Sequence, residues 1–119
     1  MDLIVGFVLA GGRSSRMGAS KALMCYPQDK PMILAVADVL ETVCREVHAV
    51  VKPEQAEAWP PNLSLVREEA GLPHHPLSGV VTALSSVCLN EWALLTPCDT
   101  PYLNETALRM LVQTAIDNE

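Results

Sequence analysis

The sequence predicts an α/β fold, a mainly parallel sheet with helices packed on both faces. Three observations carry this expectation. A short apolar run near the N-terminus is too brief for a helix and reads as a strand covered on both sides. Three later stretches place apolar residues at helical spacing. Further short strand-like runs stand between them, so that strands and helices alternate along the chain.

Leu3-Ile4-Val5-Gly6-Phe7-Val8-Leu9 is the first strand, and Ala10-Gly11-Gly12 breaks it. From Met32 to Cys44, apolar residues at Ile33, Val36, Ala37, Leu40, Val43 and Cys44 predict a helix, with Asp38, Glu41 and Arg45 elsewhere on its surface. Pro31 suits the first turn of that helix. Val47 to Val51 reads as a second strand stopped by Pro53, and Leu63 to Val66 as a shorter third. Val80, Val81, Leu84, Val87 and Cys88 mark a second helix. Trp92 to Thr96 is a fourth strand ended by Pro97. Asn104 is a good N-cap for a last helix with Leu108, Leu111, Val112 and Ala115 on one face. Right-handed crossovers between such elements give a Rossmann-like three-layer sandwich. Ligands of these sheets bind beyond the carboxyl ends of the strands, where strand order reverses. The two most unusual stretches, 10–21 and 97–101, both follow strands and are expected at that edge.

At 119 residues, residues 1–119 are expected to form a single domain. Half of the residues are apolar but only 4% are aromatic, which predicts a core of Leu, Val, Ala and Met. The formal net charge of −6 argues against a nucleic-acid binder, which needs a basic face. A local phosphate site remains compatible with it, because Arg13, Arg16 and Lys21 crowd into one short stretch. Cys25, Cys44, Cys88 and Cys98 form no C-x-x-C pair and are expected to be free thiols in a reducing cytosol, not zinc ligands. Met1-Asp2 opens directly into a strand-like run without a basic leader, and no apolar run approaches the ~18 residues of a membrane span. The expectation is therefore a cytoplasmic protein with no membrane and no nucleic-acid partner.

Three motifs carry chemistry. In Leu9-Ala10-Gly11-Gly12-Arg13-Ser14-Ser15-Arg16-Met17-Gly18, followed by Lys21, the glycines let backbone N–H groups approach an anion. Arg13, Arg16 and Lys21 can neutralise a triphosphate, and Ser14 and Ser15 add short donors. Neither G-x-x-x-x-G-K-[ST] nor G-x-G-x-x-G can be laid on this run. An ordinary strand-to-loop turn with surface arginines is the alternative. The second motif, Thr96-Pro97-Cys98-Asp99-Thr100-Pro101, sets a carboxylate at a strand end, where it can hold a divalent cation or simply cap a turn. In the third, His74-His75-Pro76-Leu77-Ser78-Gly79, the histidines read as a solvated loop, while Ser78 and Gly79 can open a helix and offer N–H groups to a ligand.

The run from Leu9 to Leu23 resembles the signature L-A-G-G-x-S-x-R-M-G-x-D-K-x-L of molybdenum cofactor guanylyltransferases, within the wider nucleotidyltransferase superfamily. Pro76-Leu77-Ser78-Gly79 resembles that family's G-P-L-[AG]-G segment, and Pro97-Cys98-Asp99-Thr100-Pro101-Tyr102 its P-C-D-x-P-[FY] motif. The three matches fall in family order. The resemblance implies that Leu9, Ala10, Gly11, Gly12, Arg13, Ser14, Lys21, Glu68, Ser78 and Gly79 bind GTP, with Glu68 at the guanine. It implies catalytic roles for Lys21, Arg16 and Asp99, with Asp99 as the ligand of Mg²⁺. It also implies molybdopterin or molybdenum cofactor as acceptor, pyrophosphate as product, and contact with cofactor-delivery proteins. Ser20 stands where the family has Asp, and His75 where it has Gly. The chain is expected to cover about the first three-fifths of a typical member, so the nucleotide-binding domain is expected to be incomplete at its C-terminus. Two alternatives differ in class: a sibling using CTP or activating a sugar phosphate, and a shortened paralogue that binds nucleotide without turnover.

The loop reading has a direct test. Lys21→Ala is expected to weaken GTP binding by about 1.5–3 kcal/mol, one charge-assisted contact, while leaving guanosine binding unchanged. Calorimetric titration of both ligands checks it, and equal losses for the two would reject a phosphate role.

Overall fold

The structure is a computed structural model that describes residues 3–10, 30–52, 59–69, 71, 76–98, 100 and 103–118. Its elements run β1 (Ile4–Leu9), α1 (Met32–Glu41), β2 (Glu46–Val51), β3 (Leu65–Arg67), α2 (Pro76–Ser85), β4 (Trp92–Pro97) and α3 (Glu105–Asp117). The four strands form one sheet in the order β3-β2-β1-β4, and every pairing is parallel.

The apolar run of β1 is explained by its place in the sheet. It pairs with β2 from Val5↔Glu46 to Leu9↔Val50, and with β4 from Ile4↔Trp92 to Leu9↔Pro97. Strand side chains alternate between the two faces. Val8 joins Ile33, Val36 and Leu40 of α1 in one core cluster, together with Leu108 of α3. Val5 and Phe7 join Val50 and Ala83 of α2 in the other. The three layers are thus α1 and α3, the sheet, and α2, as the alternating pattern predicts. Phe7, Val8, Ile33, Val36 and Leu40 are fully buried, each stabilising the fold by about 1.5–3 kcal/mol through apolar burial.

The chain moves outward from β1 to β2 to β3, then returns through α2 to the far side of β1. Strand order therefore reverses between β1 and β4, which makes that crevice the switch point.

Several boundaries differ from the sequence expectation. The first helix ends at Glu41, where Thr42 Oγ donates to the Val39 carbonyl and the Cys44 N–H to that of Leu40. The third strand lies at Leu65–Arg67, later than expected, because its pairing with Ala49–Val51 sets its register. The second helix begins at Pro76 and turns the small residues Ser78, Gly79 and Ala83 inward, leaving Leu77, Val81 and Leu84 exposed. Small inward residues let the helix axis lie close to the sheet. Asn104 caps α3 as expected, accepting from the Ala107 N–H at 3.2 Å. Of the expected apolar face of α3, Leu108 and Val112 are buried and Leu111 is exposed. Arg109 ties α3 to the end of α1 through the Thr42 carbonyl at 2.9 Å. Among the described residues, no helix is long and apolar enough to cross a membrane. Cys44 and Cys88 are free thiols as expected, and burial pushes the Cys44 thiol up to about 11. Cys25 lies outside the described residues.

Gly6 is where the packing is tightest. A Cβ there would stand 2.9 Å from Cys44 Sγ, 3.3 Å from Val47 and 3.4 Å from Leu40. Gly6→Ala is expected to destabilise by about 1–3 kcal/mol through overpacking, measured by urea unfolding. Combining it with Cys44→Ala is expected to relieve part of that cost, and strictly additive effects would place the strain elsewhere.

Candidate nucleotide site at the carboxyl edge of the sheet

Because all four strands are parallel, their carboxyl ends share one edge. Leu9 and Ala10 leave β1 there, Lys52 follows β2, Glu68 follows β3, and Pro97 ends β4. The ladder continues one step beyond the strands, with Ala10 N–H donating to the Val50 carbonyl and Glu68 N–H to that of Val51, both at 2.9 Å. These bonds fix where the chain turns away from the sheet. Leu9 is in register with Pro97, so the exits toward residue 11 and toward residue 99 lie on adjacent strands.

The first turn of α2 packs against this edge. A Cβ on Gly79 would stand 3.5 Å from Glu68 Oε2, 3.5 Å from Leu9 Cδ2 and 3.9 Å from Val50 Cγ1. Leu9, Glu68 and Gly79, distant in sequence, are therefore close neighbours. Ser78 is buried beside them, and its carbonyl accepts from Thr82 Oγ at 2.8 Å. A helix N-terminus leaves backbone N–H groups without intrahelical partners and carries the positive end of the dipole, so this turn suits an electron-rich ligand.

Glu68 is 4% exposed, and its Oε1 accepts from Lys52 Nζ at 2.8 Å. Both charges are almost wholly removed from water, at a desolvation cost that their attraction offsets only with good geometry. Apolar residues often serve stability as well in such a place, so the pair marks this edge as a candidate site. Lys52 was missed by the sequence reading. Its only signal was a lysine directly after an apolar strand, and its partner stands 16 residues away.

Of the expected site residues, Leu9, Ala10, Glu68, Ser78 and Gly79 come together at one edge. Gly11, Gly12, Arg13, Ser14, Arg16, Lys21 and Asp99 lie outside the described residues, as do His74 and His75. Among the described residues, no group of three His, Cys, Asp or Glu side chains gathers to hold a metal. Thr96, one residue before the strand ends, is 6% exposed, and its hydroxyl has no hydrogen-bond partner among the described residues.

Comparison with known proteins gives a consistent result. The family model described as MobA-like NTP transferase domain matches residues 6–119. A molybdenum cofactor biosynthesis bifunctional protein of Synechocystis is 35% identical over 94% of this chain and 32% of its own length. A probable molybdenum cofactor guanylyltransferase of Trichormus variabilis is 37% identical over 92% of this chain and 52% of its own. The chain thus spans about a third of the first relative and about half of the second. The crystal structure of Rv0371c from Mycobacterium tuberculosis has the same fold, with a TM-score of 0.69 at 23% identity over 96% of this chain and 61% of that one.

The buried pair makes a sharp energetic prediction. Lys52→Met leaves Glu68 unpaired and is expected to cost about 3–5 kcal/mol in urea unfolding. Lys52→Met with Glu68→Leu is expected to recover most of that loss, whereas additive losses would show that the two side chains stabilise the fold separately.

Proposed function

This chain belongs to the family of MobA-like NTP transferase domains, and from that premise we propose that it binds GTP at the carboxyl edge of the sheet and transfers GMP to a molybdopterin-type acceptor. The observation that carries the reading is the convergence of Leu9, Glu68 and Gly79 over the carboxyl ends of β1, β2 and β3. The guanylyltransferase name of the Trichormus relative supports the choice of nucleotide, and both relatives' names support a molybdenum cofactor acceptor.

In this reading the triphosphate lies on the loop that leaves β1. Backbone N–H groups of Gly11 and Gly12 serve its oxygens, with Arg13 and Ser14 as further donors, while the Ala10 N–H stays bonded to the Val50 carbonyl. Lys21 and Arg16 neutralise the charge that grows on the leaving group. The base lies against Leu9 and the first turn of α2 near Ser78 and Gly79, with Glu68 at its polar edge. A terminal phosphate oxygen of the acceptor attacks the α-phosphorus of GTP. The bond from that phosphorus to the bridging oxygen breaks, and pyrophosphate carries the electron pair away. Little covalent chemistry is asked of the protein, so positioning and charge neutralisation supply the rate.

Asp99 is the residue proposed to hold Mg²⁺, the second carboxylate role at this edge. One carboxylate suits this ion, which takes one or two protein ligands together with substrate phosphates. When bound, it neutralises charge on the phosphates. The register of Leu9 with Pro97 supports the assignment, because the chain leaves β4 toward Asp99 beside the strand end from which it leaves β1 toward Gly11. The free thiols Cys44 and Cys88 suit a cytoplasmic site of action.

GTP with Mg²⁺ is expected to raise the melting temperature more than CTP, UTP or ATP does, since stabilisation follows RT ln(1 + [L]/Kd). A larger shift with CTP would assign the chain to the cytidylyl sibling class. Asp99→Asn is expected to keep the fold and lose the Mg²⁺-dependent part of GTP binding and of pyrophosphate release. An unchanged Mg²⁺ response in that variant would reject the metal role and leave Asp99 as a turn residue.

A further inference from the structure

α2 is inverted relative to an ordinary surface helix. Its small residues Ser78, Gly79 and Ala83 face inward, while Leu77, Val81 and Leu84 are 61%, 57% and 55% exposed. An outer helix face is ordinarily polar. These three stand at i, i+4 and i+7, so they form one stripe along the helix and not a scatter of single side chains. α3 makes the contrast. Met110 and Leu111 are exposed there too, but as sequence neighbours they point about 100° apart. Glu105, Arg109 and Asp117 share that helix with them.

The stripe lies in an uncharged stretch. From Pro76 to Asn90 the chain contains no Asp, Glu, Lys, Arg or His, although its formal net charge is −6. That bears on what covers it. Helices that lie on a lipid surface carry Lys and Arg on their polar face, and α2 has neither. A partner recruited by charge finds nothing here to recognise. A second copy of this chain fits better. Two acidic molecules repel one another, and an uncharged stripe is where they can meet without adding to that repulsion.

The stripe is also close to symmetric about its middle, because a leucine lies one turn to either side of Val81. Two such helices packed antiparallel about a twofold axis set Val81 against its own copy. Leu77 of each then meets the partner's Leu84. An isologous contact requires that self-complementarity. Val80 and Ser85 flank the stripe and bring no charge to its rim.

We propose that this chain self-associates through the outer face of α2, as an antiparallel twofold dimer centred on Val81. The stripe exposes on the order of 300 Å² of apolar surface in each copy, the size at which a patch on a monomer is often functional. With its flanks it reaches the small end of specific interfaces, below about 1,200 Å² in total, so the dimer is weak and forms at micromolar concentration. This association is independent of the nucleotide reading above.

Sedimentation equilibrium in reductant, which keeps the exposed Cys88 thiol from linking copies, tests the proposal. Wild type is expected to pass from the mass of one chain toward that of two between about 1 and 200 μM. Val81→Glu sets like charges face to face on the axis and is expected to weaken association by about tenfold or more. Met110→Glu makes the same kind of change on α3 and is expected to leave association unchanged. Both positions are exposed, so both variants are expected to melt as wild type does in dilute solution. A second variant reads the geometry directly and serves if Val81→Glu does not fold. Val81→Cys with Cys88→Ser is expected to form a disulfide-linked dimer under mild oxidation, and Cys88→Ser alone is not. A one-chain mass at the highest concentration, equal weakening by the two glutamates, or no link through position 81 overturns the proposal. The first of these is the result expected if a different protein or further polypeptide covers the stripe.

Discussion

The two-sided burial of β1 is the constraint on which the rest of the molecule depends. Its backbone is paired with β2 on one side and β4 on the other, and its side chains feed both cores. A parallel strand in that position cannot be reached by hairpins, so each neighbour must arrive by a crossover through a helix. That requirement calls for α1 on one face and α2 on the other. It also explains Gly6, where the end of α1 and the start of β2 come so close that no side chain fits without displacement.

The same parallelism concentrates polar chemistry. Antiparallel strands would distribute their carboxyl ends over two edges, whereas these four deliver Ala10, Lys52, Glu68 and Pro97 to one. The first turn of α2 closes over that edge with Ser78 and Gly79 and brings no bulk of its own. The fold therefore tolerates a buried lysine and glutamate there, although burying either one alone would be strongly unfavourable. An apolar pair of similar volume would serve stability at least as well there.

Legibility differed from element to element for identifiable reasons. β1, α1 and α3 were readable because each imposes one strong local pattern, and Asn104 marks its helix start by a side chain that bonds within the same turn. β3 was misplaced because three residues carry too little periodicity, and its bounds follow from pairing with Ala49–Val51. α2 was recognised, but its orientation was not. Val80, Val81 and Leu84 suggest an apolar inner face, yet close approach to the sheet selects Gly79 and Ala83 for the inside and leaves Leu77, Val81 and Leu84 outside. Hydrophobicity alone does not rank a leucine below a glycine for burial, whereas the distance between helix and sheet does.

By itself the sequence determined the alternation of strands and helices, the glycine-and-arginine run after β1, and the aspartate after β4. These rest on short-range physics, namely side-chain periodicity, the freedom of glycine and the clustering of charge within a few residues. The tertiary structure decided the strand order, the placing of the switch point between β1 and β4, and the meeting of Leu9, Lys52, Glu68 and Gly79. Each of those depends on which strands become neighbours. That choice is made by burial summed over the whole sheet, and no local stretch of sequence contains it.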